Sequence, residues 1–378
     1  MTTHIQGIGT VVPEGQVSQD EAAAVGCSIG STSGSNARTI SALYRRAGVN
    51  QRHSVALNIA TTQAPFANTA SGTANLMAQT FYPPIQHSED QGPTTAQRME
   101  QFEQHASDLA IMASQKALST SSISNTEITH LITISCTGFF SPGIDILLIQ
   151  QCELPPSCQR TQIGFMGCHG AINGLRVMKA ITDADSTAKV LMCALELCSL
   201  HQQYGTNPQH LVSNSLFSDG SAALVGTGEG GVQSAQPVVA ATASTIIPNT
   251  QAHMSWRIRD HGFEMSLSPE VPGVIERTLR PWIDHWLSDY GYGVSEIQGW
   301  GIHPGGPKIL NACKKTLALP PSQLDTSRQV LSSFGNMSSP TVLFILEKFK
   351  EEKRDLPWVL LAFGPGLSVE AALITTAP

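Results

Sequence analysis

The chain has 378 residues, 41% hydrophobic and only 13% charged, which is enough for two ordinary domains or one large duplicated fold with a sizeable core. A formal net charge of -7 argues against a nucleic-acid protein, so an anionic substrate has to be met by local basic residues rather than by a global field. Thirty-two glycines and 22 prolines, spread along the chain, indicate many tight connections rather than disorder.

Residues 1–12 read as a strand ending in Gly-x-Gly-Thr. They hold no basic stretch followed by an apolar one, so no signal peptide is expected, and no apolar run of about 18 residues predicts a membrane span. Cys27 to Asn36 and the Pro-rich stretch from Tyr82 to Thr95 read as loops, and Met99 to Leu118 repeats apolar residues at helical spacing. THLITISCTGFFSPGID is a continuous apolar strand closing on Gly and Pro. Residues 160–167 predict a short strand, followed by a helix from about Cys168 to Ala184 that buries Ala171, Ile172, Leu175 and Met178. KVLMCALEL and SAALVG are further buried strands, and the Gly-rich stretch at 228–237 marks the seam between halves 1–232 and 233–378.

The second half repeats the theme. A helix near 269–290 leads to the strand IQGWGIH, and a helix begins at Pro304. SSFGNMSS turns into a helix over 339–352, and WVLLAFGPGLSVEAALITT reads as two strands joined at Gly-Pro-Gly. Strands alternate with helices throughout, which predicts α/β layering, and each half places a polar or reactive side chain where a strand-side turn becomes a helix, which suggests a duplication.

Eight cysteines, Cys27, Cys136, Cys152, Cys158, Cys168, Cys193, Cys198 and Cys313, include no C-x-x-C pair. Most are expected to be small buried hydrophobes in a reduced cytosol. Cys168 stands apart in GFMGCHGAINGLR, where a helix N-terminus would favour the thiolate and flanking glycines would allow close approach to the sulfur. A buried cysteine in a packing turn would look the same. His303, at the end of an apolar strand before Pro-Gly-Gly, can pair with a thiolate and donate to a developing oxyanion. His169, next to Cys168, is expected to be structural. Asn336 in FGNMSSP is a helix N-cap candidate, or an uncharged donor able to hold an enolate oxygen at any pH. The sequence offers neither a dinucleotide-binding glycine motif nor a metal-ligand cluster, so no cofactor is expected.

These segments, with SLFSDGSAALVG, VPGVI, HPGGPKIL and LLAFGPGLSVE, resemble the type III polyketide synthases, the chalcone synthase-like enzymes, in their microbial flavour from about residue 128 onward. The resemblance implies a thiolase-like duplicated five-layer αβαβα fold and a cytoplasmic homodimer acting on an acyl-CoA starter and malonyl-CoA. By it, Cys168 is the acyl-accepting nucleophile, and His303 and Asn336 complete the triad. Phe217 matches a gatekeeper, and Gly364, Pro365, Gly366 and Ser338 match cavity residues. Met265 stands where the family has a second aromatic gatekeeper, Trp256 where the plant enzymes have a small residue, and Cys136 and Cys198 where they have cavity threonines. CoA phosphates are expected on Arg52 and Lys308, with Arg45 and Arg46 nearby. A pyrone or resorcinol product is expected, with a malonyl-only phloroglucinol or tetrahydroxynaphthalene product and a ketoacyl-ACP synthase III-like enzyme as alternatives.

Overall fold

A computed structural model describes residues 3–31, 36–57, 81–228 and 236–377. The chain opens with β1 (Thr3–Val11), β2 (Gln16–Ser18), α1 (Gln19–Gly30), α2 (Ala37–Arg46) and β3 (Gln51–His53). There follow α3 (Thr95–Ser119), β4 (His130–Ser135), α4 (Ile144–Gln151), β5 (Gln159–Gly164), α5 (Gly170–Ala184), β6 (Lys189–Leu197), α6 (Pro208–Leu216) and β7 (Asp219–Thr227). The second half runs β8 (Pro237–Ile246), β9 (Met254–Arg259), β10 (Gly262–Leu267), α7 (Val271–Ser288), β11 (Gly299–Ile302), α8 (Pro307–Leu317), α9 (Asp325–Phe334), α10 (Thr341–Glu351), β12 (Trp358–Gly364) and β13 (Ser368–Thr376).

Local chemistry explains several boundaries. Ser18 with Glu21, and Thr94 with Gln97, form reciprocal capping boxes that start α1 and α3. α1 runs on to Gly30, into the stretch expected as loop, because Ala22, Val25 and Ile29 keep one buried face in register. Residues 32–35 and 229–235, the latter holding most of the expected seam, lie outside the described residues. α5 begins two residues later than expected, since Phe165 and Gly167 both take positive φ and complete a turn first. α8 begins at Pro307, where a fixed φ suits the first helical position, rather than at Pro304.

Among the described residues, nine strands form one sheet in the order β11-β12-β13-β8-β1-β7-β6-β4-β5. The order reads outward from its middle as a repeat. β4 and β6 are parallel, as are β11 and β12; β7 is antiparallel to β6 and β1, as β13 is to β12 and β8. The halves meet where β1 and β8 pair over only Thr3–Val239 and His4–Val238.

Alternating side chains sort the halves into five layers. Leu191, Cys193, Ala223 and Val225 face outward onto Ala110, Ala113 and Ala117 of α3. Val190, Met192 and Leu224 face inward onto α5 and α10, which also receive Leu360 and Ala372 from the second half. Val359, Leu361, Ala371 and Leu373 face outward onto α7 and α8. The fold is thus helix, sheet, central helices, sheet, helix. The two helices in the middle layer are those that follow Cys168 and Asn336.

Candidate active site

Cys168, His303 and Asn336 come from separate elements and line one cavity of about 460 Å³. Cys168 sits in the turn between β5 and α5, just ahead of His169 at the helix cap. A Cβ on Gly167 would lie 2.6 Å from Pro365, and one on Gly364 only 2.3 Å from the His169 ring, so the cysteine turn and the 364–366 loop touch backbone to side chain. His169 is buried and clamps the two, with Nδ1 2.7 Å from Asn173 Oδ1 and Nε2 2.7 Å from Ser368 Oγ.

His303 follows β11, its backbone N–H donating to the Leu361 carbonyl of β12. Its ring is buried, yet neither ring nitrogen has a hydrogen-bond partner among the described residues. An imidazole left unpaired at a cavity wall is an unmet demand that a ligand can satisfy. Asn336 solves its own orientation. The Ser338 backbone N–H, which can only donate, points at Asn336 Oδ1 at 2.8 Å, so the amide NH₂ is the end left to face the Cys168 sulfur.

Burial pushes the Cys168 thiol up to about 11, against hydrogen bonds from Ser338 and Asn336 that pull it down. Burial likewise drives His303 down to about 3. Each charge alone is therefore disfavoured, and the helix terminus does not by itself make a thiolate as the sequence suggested. A proton moved from sulfur to imidazole would put opposite charges into one dry cavity, where their attraction opposes both penalties.

The wall residues divide between two adjoining chambers. Cys136, Cys168, Cys198, Ser338 and Pro365 face one of about 350 Å³. His201, Gln202 and His210 face another of about 330 Å³. Cys198, Phe217, Trp256 and Met265 line both. Trp256 and Met265 are direct cross-strand partners in the β9–β10 hairpin, and Trp256 Nε1 donates to the Cys136 carbonyl at 2.7 Å. Gly366 takes φ 136°, open to glycine, in the loop between β12 and β13. All eight cysteines are free thiols.

Arg52 is a correction. Expected on CoA, it is fully buried on β3, with its guanidinium on the carbonyls of Asn214, Ser215 and Phe217. A solvated phosphate has no access to it. Lys308 is exposed in the first turn of α8, and Arg45 and Arg46 are exposed at the end of α2. Close approach of Gly48 to Pro307 brings those two helix ends together.

Two residues escaped the sequence reading. Glu196 is fully buried on β6, accepting from Cys136 N–H, Thr137 Oγ1 and Ser339 Oγ at 2.7–2.8 Å, and burial pushes its carboxyl up to about 7. A lone carboxylate in KVLMCALEL was the available signal. His201 stacks on Phe263 at 4.2 Å, with Nε2 2.6 Å from the Thr137 carbonyl and Nδ1 accepting from Phe263 N–H. Both nitrogens are satisfied, so the ring is a neutral wall. Among the described residues no group of three or more His, Cys, Asp or Glu is placed to hold a metal ion, and none of the helices is long and apolar enough to cross a membrane.

Comparison with known proteins fixes the lineage. The model for the N-terminal domain of chalcone and stilbene synthases matches residues 74–229, and that for the C-terminal domain matches 238–378. The chain belongs to this family. The chain is 34% identical to the "Alpha-pyrone synthesis polyketide synthase-like Pks18" of Mycobacterium tuberculosis, over 74% of this chain and 73% of the relative. It is 32% identical to "Type III polyketide synthase C" of Arabidopsis thaliana over 75% and 76%, and 35% identical to a "1,3,6,8-tetrahydroxynaphthalene synthase" of Streptomyces peucetius over 70% and 72%. The crystal structure of PKS-I from the brown alga Ectocarpus siliculosus superimposes with a TM-score of 0.88 at 25% identity, covering 100% of this chain and 98% of that one. The thiolase-like layering is therefore that of a type III polyketide synthase, a CoA-thioester-dependent acyltransferase.

Proposed function

We propose that this type III polyketide synthase loads an acyl-CoA starter on Cys168 and extends it by iterative decarboxylative condensation with malonyl-CoA. The observation that carries this reading is the shared cavity in which a buried thiol, an unpartnered imidazole and an oriented amide meet. The Cys168 sulfur, its proton passed to His303, attacks the starter thioester and expels CoA. Malonyl-CoA then docks with its thioester oxygen between the His303 ring and the Asn336 amide. Loss of CO₂ leaves an enolate there, where two preorganised donors in a dry pocket are worth several kcal/mol. The enolate carbon attacks the acyl–cysteine carbonyl, the sulfur departs, and the lengthened chain returns to it for the next round. No cofactor enters this scheme.

Leu216, Phe217, Met254, Met265, Leu267 and Phe363 give the cavity an apolar lining that suits a medium- or long-chain starter. The mycobacterial relative named for α-pyrone synthesis supports a pyrone or resorcinol product. The relative named a tetrahydroxynaphthalene synthase favours the second reading, a malonyl-only product. Lys308, Arg45 and Arg46 are assigned to the CoA phosphates, Phe217 to the gate between CoA and the chain, and the active species to a cytoplasmic homodimer. Incubation with labelled malonyl-CoA and a panel of acyl-CoAs, read by mass spectrometry, is the test. Labelled products whose mass tracks the starter are expected. One labelled product that ignores the panel would replace the first reading with the second, and no condensation product at all would remove both.

A further inference from the structure

Phe217 and Asn336 lie 119 positions apart, yet they pair as an isolated β-bridge. Asn336 N–H donates to the Leu216 carbonyl at 2.9 Å, and Ser218 N–H to the Asn336 carbonyl at 3.0 Å. The end of α6 and the turn after α9 are thus one backbone unit. Its two side chains face the same cavity.

That unit hangs from a buried cation. Helix α6 ends at Leu216 and leaves its last carbonyls without intrahelical partners. Arg52 Nη1 donates to the carbonyls of Asn214 and Phe217, each at 2.8 Å, and Nη2 donates to that of Ser215. Gln19 Oε1, at the start of α1, accepts from Nη2, and Gln19 Nε2 donates to the Tyr44 and Ser215 carbonyls at 2.8 and 3.0 Å. The residue just before β3 reaches the other arm, since Asn50 N–H donates to the Ser332 carbonyl of α9 at 2.8 Å. Buried Asp219 supplies the opposing charge, which lets a guanidinium sit here with no exposed surface. A planar fork fits several carbonyls at once, whereas an ammonium cannot reproduce that geometry.

We propose that Arg52 is a positioning residue for the condensation, setting the Phe217 gate directly and the Asn336 amide through the Phe217–Asn336 bridge. This rests on the decarboxylative reading above. The variants are Arg52→Lys, which keeps charge and loses the fork, and Gln19→Leu, which loosens one hold on the guanidinium and serves if the first does not accumulate. Malonyl-CoA decarboxylation and condensation are measured per folded enzyme, with malonyl-CoA and with malonyl-pantetheine, which lacks the nucleotide phosphates.

Displacement of a catalytic donor by a fraction of an ångström costs on the order of tenfold in kcat, with KM held within about twofold. That fall is expected equally for both thioesters, and combining Arg52→Lys with Phe217→Leu should cost less than the product of the single effects. Unchanged kcat per folded enzyme with only a lowered Tm would overturn the role, leaving Arg52 a purely structural residue. So would a loss confined to malonyl-CoA, because that is the signature of phosphate binding. A wild type that releases no CO₂ would overturn the function proposed above, and this role with it.

Discussion

Trp256 is the side chain whose removal should change what the enzyme makes most directly. It stands between chambers of about 350 and 330 Å³ and lines both. Its ring meets His201 at 5.6 Å, Phe263 at 5.9 Å and Phe217 at 6.3 Å, and its Nε1–H holds the Cys136 carbonyl. Trp256→Gly should join the chambers. A fully buried tryptophan truncated to alanine costs about 3–5 kcal/mol, and glycine within a strand adds about 0.5–1 kcal/mol. The ring is only part-buried, so the total is put at about 3 kcal/mol, which a domain of ordinary stability survives. Met265→Phe, directly across the hairpin, should act in the opposite sense, stiffening the wall and favouring shorter starters. Both variants and the wild type are to be given an acyl-CoA length series, scoring product mass and relative kcat/KM. Trp256→Gly should accept bulkier starters or add an extension, and decarboxylation should persist in both, since neither side chain is one of the two proposed enolate donors. Identical starter profiles in all three proteins would refute the reasoning and put the length-limiting wall elsewhere.

Cys168→Ala should abolish polyketide formation while malonyl-CoA decarboxylation stays detectable, because the enolate donors are His303 and Asn336; intact product formation would contradict the assignment. Asn336→Ala should lower the decarboxylation rate by roughly 10²–10³, by analogy with other oxyanion-donor deletions. His303→Ala should be worse and should move iodoacetamide inactivation of Cys168 to higher pH; an unchanged profile would exclude proton transfer between the two. Glu196 offers a stability signature. Its folded carboxyl, pushed up to about 7 from an ordinary 4.5, binds a proton that the unfolded chain has released, so wild-type stability falls as pH rises through that window. At about 1.4 kcal/mol per pH unit, the wild type should lose roughly 3 kcal/mol relative to Glu196→Gln between those limits in urea titrations, and parallel stability curves would count against a buried, protonated carboxyl.

The three residues that share the cavity, proposed as the triad, could be singled out because each sits at a local discontinuity: Cys168 among glycines, His303 before Pro-Gly-Gly, Asn336 in a Gly-Asn turn. The layering was legible because apolar strands alternate with helices. Other parts left weaker marks. IDILLIQQ, with its polar residues Asp145, Gln150 and Gln151 at the two ends, is too short to show a helical period, yet forms α4. MSWRIRDHGFEMSL mixes charge and aromatics with no clean period, and only the structure shows Trp256 opposite Met265.

Arg52 shows why such gaps fall where they do. A local reading sends an arginine to the surface, since an unpaired buried charge is prohibitive. Burial becomes tolerable only when three carbonyls more than 160 positions away, a Gln19 acceptor and the Asp219 charge converge on it. Glu196 obeys the same logic, needing Ser339 from the other half of the chain before its burial is tolerable. Glu196 ties the two halves directly, and Arg52 holds the end of α6 whose Phe217 is bridged to Asn336. A duplicated fold can build its layers from each half alone, but the groups that align a site between halves must be polar, buried and satisfied from afar. Sequence-local rules therefore fail at these positions for the same reason that the positions matter.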